Sequence, residues 1–153
     1  MTKPESHPPQ LELFYEHDLV IARIRGPLDE PVARCLQNAH DELAKRFGYV
    51  LQLHDARQET ELTADGRRSF FLWNRERAYP GVVAILGAHF ALRAMAMLLM
   101  RAVKMLVPAT SELAFFDTEA DARAWLARQR IALEREVAAK GERERVKKDG
   151  PDE

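Results

Sequence analysis

Side chains able to do chemistry are few and scattered in this chain. The serines are Ser6, Ser69 and Ser111, none inside a Gly-x-Ser-x-Gly elbow, which disfavours an activated-serine hydrolase. His7, His17, His40, His54 and His89 lack the His-Glu-x-x-His spacing that puts two imidazoles on one helical face, which disfavours a zinc site. No glycine-rich phosphate loop occurs, so nucleotide hydrolysis is disfavoured too. Cys35 falls on the apolar side of a predicted helix, where a thiol is ordinarily inert. No catalytic residue, metal site or cofactor is therefore assigned.

Three groupings stand above that background. His54 and Asp55 close one predicted strand, Gly87 and His89 follow another, and Arg93 lies just inside the next helix. Open α/β sheets bind ligands in the crevice at the carboxyl ends of their strands, and a helix N-terminus aided by Arg93 and His89 suits an anion. The second grouping sets Arg67, Arg68, Arg75 and Arg77 among Phe70, Phe71 and Trp73. Such interleaving serves single-stranded nucleic acid, whereas on a short helix the aromatics usually face the core and the arginines the water.

The third grouping is the helix predicted over 90–107. At about 100° per residue, Arg93, Arg101 and Lys104 share one sector with Met97 and Met100, and apolar residues fill most of the remaining circumference. A sheet covers one face of a helix, so a neighbouring helix, a second subunit or a lipid tail is needed to cover the rest. Trp73, Met97, Met100, Arg101 and Lys104 are the candidate partner interface, since flexible methionines suit adaptable contacts.

The elements that must position these groups follow from periodicity and punctuation. Residues 113–116 form a short apolar strand that runs directly into a helix capped by Thr118, with Glu119 and Asp121 favouring its dipole. Upstream, residues 11–25 read as two strands broken at His17-Asp18, the second stopped by Gly26-Pro27. Asp29 caps a helix with Pro31 in its first turn, and Gly48 ends it. A strand over 49–53 precedes a polar stretch, 54–61, and Thr63 caps a helix reaching Tyr79 before Pro80-Gly81 breaks it. Residues 82–86 form a buried strand, and Gly87 allows the turn into the next helix. Strands joined through helices require a largely parallel sheet with right-handed crossovers.

At 153 residues and 46% hydrophobic, one globular domain is expected. Lysine and arginine number 23 against 24 acids, a net charge of -1, so no overall field attracts nucleic acid or acidic lipid. The single cysteine excludes an internal disulfide and fits a reducing compartment, and Glu5, His7, Pro8 and Pro9 do not make a signal-peptide core. The expected location is the cytoplasm. Arg93, Arg101 and Lys104 interrupt the 90–107 run, which falls short of the roughly 20 apolar residues of a membrane span. Neither a transmembrane segment nor nucleic-acid binding is expected.

The β-β-α-β-α-β-α-β-α order, with the stretches Gly87-Ala88-His89-Phe90-Ala91-Leu92-Arg93, Phe115-Phe116-Asp117-Thr118-Glu119-Ala120 and Ala124-Trp125-Leu126, resembles the STAS domain. That is the fold of bacterial anti-sigma-factor antagonists and of sulfate-transporter tails. Over about residues 11–130 the chain looks like a bacterial STAS-like branch grouped with the lipid-binding CRAL-TRIO fold. The resemblance implies a switch serine after the third strand. Residues 55–63 contain no serine, which leaves Thr60 and Thr63, and a phosphate at Thr63 would lie at a favourable helix N-terminus. Thr63 equally reads as a plain helix cap.

The expected architecture is α/β and STAS-like, a mostly parallel sheet of about five strands with helices packed on it. A disordered arm spans 1–10, the domain 11–139, and a charged disordered tail 140–153. The expected role is non-enzymatic regulation by binding a protein partner or a second copy of the chain. The alternative is a carrier for a small apolar or lipid-like anionic ligand.

Overall fold

A computed structural model describes residues 7–106 and 111–150. The chain enters through β1 (Leu11–Glu16), and His17, with φ of 53°, turns it back into β2 (Leu19–Leu28). The two strands pair antiparallel, from Leu11 opposite Ile24 to Glu16 opposite Leu19. There follow α1 (Glu30–Phe47), β3 (Val50–Leu62), α2 (Ala64–Glu76), β4 (Gly81–Leu86), α3 (Phe90–Leu106), β5 (Ser111–Phe116) and α4 (Glu119–Lys148).

The sheet order is β1-β2-β3-β4-β5, with β2 to β5 parallel. Each crossover steps one strand in the same direction, and right-handed crossovers then place α1, α2 and α3 on one face. The opposite face is left to α4. There Leu51, Leu53, Val82, Ala84 and Leu86 pack against Ala122, Leu126 and Leu133. Asp18, at the β1–β2 turn, ties α4 down through Arg130 at 2.7 and 2.8 Å and accepts the Tyr49 hydroxyl at 2.6 Å. On the other face α1 packs Val32, Ala33 and Leu36 over Ala22 and Ile24.

The caps fall where the sequence places them. The Asp29 carboxylate accepts from Val32 N at 3.3 Å, the Thr118 hydroxyl accepts from Asp121 N at 3.2 Å, and Gly48, with φ of 80°, closes α1. Several boundaries differ from expectation. β2 continues past Gly26-Pro27 to Leu28, because β1 begins opposite Ile24 and leaves Pro27 unpaired on that side, where its missing amide costs no ladder bond. β3 runs through the polar stretch to Leu62, because the end of β2 still pairs with it there. His54 and Asp55 are therefore mid-strand residues. α2 stops at Glu76, where Arg77 turns to an extended conformation.

Residues 140–148, expected as a disordered tail, continue α4 as exposed helix. Lysine, glutamate and arginine are good helix formers, and Glu142 and Arg145 pair at 2.9 Å three residues apart. The end of the N-terminal arm is also placed, with Leu11 N donating to Pro8 O at 2.9 Å. The rest of that arm (1–6), the C-terminal end of the tail (151–153) and the 107–110 segment lie outside the described residues.

Candidate functional site

Successive residues of a strand point to opposite faces, and β3 uses this to split the sequence-predicted pair. Leu51 and Leu53 face α4, whereas Gln52 and His54 face α2 and α3 and line a cavity of about 140 Å3 between those helices and the sheet. Its apolar wall includes Phe70, Ile85, Leu92, Leu99, Met100 and Phe115. Asp55 does not line it. Arg57 holds the Asp55 carboxylate at 2.7 and 2.9 Å, Arg23 approaches at 3.3 Å, and this pairing, with Arg57 foremost, lowers its pKa to about 2.

One polar chain runs along the cavity. His40 Nε2 donates to Gln52 Oε1, Gln52 Nε2 donates to His54 Nδ1 at 2.9 Å, and His54 Nε2 donates to Glu59 Oε1 at 2.8 Å. With the Gln52 amide in this orientation His54 Nδ1 is an acceptor, and every donor of the chain points toward the Glu59 carboxylate. Burial pushes His40 down to about 4, opposed by the hydrogen bond to Gln52. Its Nδ1 is buried with no partner.

Arg77 forms the other polar group of the cavity. Its side chain follows the last turn of α2, stands 5.6 Å over the Trp73 ring and 5.7 Å from Tyr79, and donates from Nη2 to Ser111 Oγ. Burial lowers its pKa from the ordinary arginine value. Its Nε is buried without an acceptor, and no carboxylate among the described residues pairs with it. Gly81 makes room for the guanidinium, since a Cβ there would lie 2.7 Å from Arg77 Nη1. Asp41 instead accepts from Trp73 Nε1 at 3.3 Å and from the Tyr79 hydroxyl.

The residues expected to bind an anion at the start of α3 are engaged within the fold. His89 Nε2 donates to Thr60 O at 3.1 Å. Arg93 donates to Ala88 O at 3.1 Å and Asp117 at 3.2 Å, and lies 5.4 Å over Phe115. Gly87 is needed for its φ of 69° and because a Cβ would strike Arg57 Cγ at 2.4 Å. Of that group, only His54 reaches the cavity.

The expected partner surface divides in the same way. Trp73 is turned inward, edge-on to His40 at 5.3 Å, and Met100 lines the cavity. Lys104 pairs with Glu112 at 3.4 Å. Met97 and Arg101 point outward with Phe90, Leu98 and Met105, which are 86%, 60% and 85% exposed. Thr63 caps α2, accepting from Gly66 N and donating to Leu28 O, both at 3.2 Å, while Thr60 is exposed near the end of β3.

Sequence reasoning placed none of His40, Gln52, Glu59 and Ser111 at a site, and grouped Arg77 only with the other arginines of α2. A readable sign was the alternation Leu51-Gln52-Leu53-His54, which puts polar residues on one face of a strand otherwise apolar enough to be buried on both. Arg77 gave no such sign, being one arginine of four around α2.

Among the described residues no cluster of histidine, cysteine and carboxylate has metal-binding geometry, and no helix is long and apolar enough to cross a membrane. No family model matches the chain, and no curated protein matches it.

Proposed function

We propose that the chain is a non-enzymatic, cytoplasmic binding domain of STAS-like type whose ligand is a small apolar molecule held between α2, α3 and the sheet. The observation that carries this reading is the cavity itself, about 140 Å3 with a mostly apolar wall and a few buried polar groups. The state of the polar groups favours binding over catalysis. Both nitrogens of His54 are engaged by Gln52 and Glu59, and the Ser111 hydroxyl is engaged by Arg77. Neither is set up as a nucleophile with its base.

The test is thermal unfolding with toluene, a ligand with no polar group. Binding to the folded state alone adds about 2.7 kcal/mol at a hundredfold excess over Kd, or roughly 5–10 °C for a chain of this length. Ala96 lines the cavity, so Ala96→Leu is expected to raise the melting temperature without ligand and to abolish the toluene response. An unshifted wild type overturns the reading.

A second reading, regulation through a protein partner or second copy, is favoured by the outward stripe of α3. Phe90, Met97, Leu98 and Met105 recur at helical spacing on one exposed face, the pattern of an apolar patch awaiting a cover. Sedimentation of wild type against Leu98→Glu tests it: a dimer lost in the variant supports a second copy, and a monomer in both disposes of one.

A further inference from the structure

Resting on the cavity reading above, we infer that Arg77 and Ser111 form a head-group site, so that the ligand is a small monocarboxylate with a ring-sized apolar body. Arg77 is only 9% exposed and carries a charge that no carboxylate among the described residues neutralises. The carboxylates that line or flank the cavity are engaged elsewhere: Asp41 by Trp73 and Tyr79, Glu112 by Lys104, and Glu59, at the far end, by His54. Contacts with the faces of Trp73 and Tyr79 offset part of the lost hydration, but a guanidinium taken from water without an anion remains costly.

A ligand carboxylate supplies the missing acceptor. The guanidinium is a planar fork of N–H donors that matches two carboxylate oxygens, and Nε is the donor with no acceptor. Ser111 Oγ accepts from Arg77 and keeps its own proton, which it donates to the same carboxylate. Gly81 holds this corner open, because any larger residue would press on the guanidinium.

The site also has a direction. Val50, Gly81 and Ser111 stand in register, so Arg77 and Ser111 mark the amino-terminal ends of β4 and β5. Glu59 lies beyond the last β3 residue paired with β4, Asp55 opposite Leu86. A carboxylate ligand is attracted to the first end and repelled from the second.

Size sets the rest of the molecule. A cavity of about 150 Å3 lined by aliphatic and aromatic side chains takes up benzene, and this one measures about 140 Å3. A benzene-sized ring matches that volume.

The experiment is an NMR titration of the full chain with benzoate, benzamide and toluene, repeated on Arg77→Met and Ser111→Ala. Wild type is expected to bind benzoate about tenfold or more tighter than benzamide, the range of a hydrogen bond to a charged group. Arg77→Met should lose that preference and keep its affinity for toluene, and Ser111→Ala should weaken benzoate alone. Wild type alone decides the matter should a variant fail to fold. Toluene binding with benzoate no tighter than benzamide overturns the head-group site and leaves the cavity reading intact. No binding of any of the three overturns both.

Discussion

Acidification is expected to expose the cost of burying His40 as a neutral ring. Its pKa falls from 6.5 to about 4 in the folded chain, chiefly because burial penalises the charged form. A depressed folded value means that the unfolded chain takes up the proton first as pH falls. The contribution to stability is complete above pH 6.5 and declines until the folded ring also protonates near pH 4. Across that window the loss is roughly 3 kcal/mol at about 1.4 kcal/mol per pH unit. Asp55 does not confuse the reading, since its own loss runs from pH 3.8 down to about 2.

Urea unfolding at closely spaced pH values, with His40→Gln as comparison, measures this. Glutamine keeps a donor for Gln52 Oε1 but does not titrate, and it gives up the edge-on contact with Trp73, about 1 kcal/mol. The variant should be the less stable protein at pH 7 and should lose less on acidification, so that the two curves cross above pH 4. Parallel curves would refute the claim that His40 is buried neutral.

Other perturbations have equally definite outcomes. Arg130→Met leaves the buried Asp18 carboxylate without its guanidinium partner, and about 2–3 kcal/mol of stability should be lost in urea unfolding, less than for a fully buried pair because Arg130 is partly exposed. Burial by itself raises Asp18, and the Arg130 and Tyr49 hydrogen bonds outweigh it and hold the carboxyl below its usual value. Asp18 therefore stabilises the fold above pH 3.8 and loses that effect below it, so acid unfolding should begin at higher pH in Arg130→Met. Gly87→Ala should lower the melting temperature, costing at least about 1–2 kcal/mol, because alanine resists the positive φ and its Cβ meets Arg57. Leu98→Glu, on the exposed side of α3, should change monomer stability by no more than about 0.5 kcal/mol.

The architecture was legible because its signals are local. Asp29, Thr63 and Thr118 cap helices that begin where those residues stand, Gly48 ends α1, and the apolar strands over β4 and β5 are short and cleanly bounded. The length of β3 was hidden because its polar half is held by pairing with β2, a partner far away in sequence. The helical 140–148 segment was hidden because charged residues read as solvated tail and as solvated helix alike.

The site was harder to see for a related reason. His89 and Arg93 have the right types beside a helix N-terminus, yet Thr60, Ala88 and Asp117 already engage them. Arg77 became a cavity residue only because α2 ends one residue earlier and the chain turns its side chain back between Trp73 and Ser111. Helix α3 illustrates both outcomes. Its excess of apolar surface is real, with one side lining the cavity and the other exposed, and the sequence did not show which methionine belongs to which side.

That division supplies the most direct test of the cavity as the binding site. In protein labelled with carbon-13 at its methionine methyls, Met100 reports on the cavity, while Met97 and Met105 report on the outer face of α3. Titration with toluene is predicted to shift Met100 saturably and leave Met97 and Met105 in place. Shifts of Met97 and Met105 with Met100 unmoved would contradict the cavity and move the binding site to the outside of the helix.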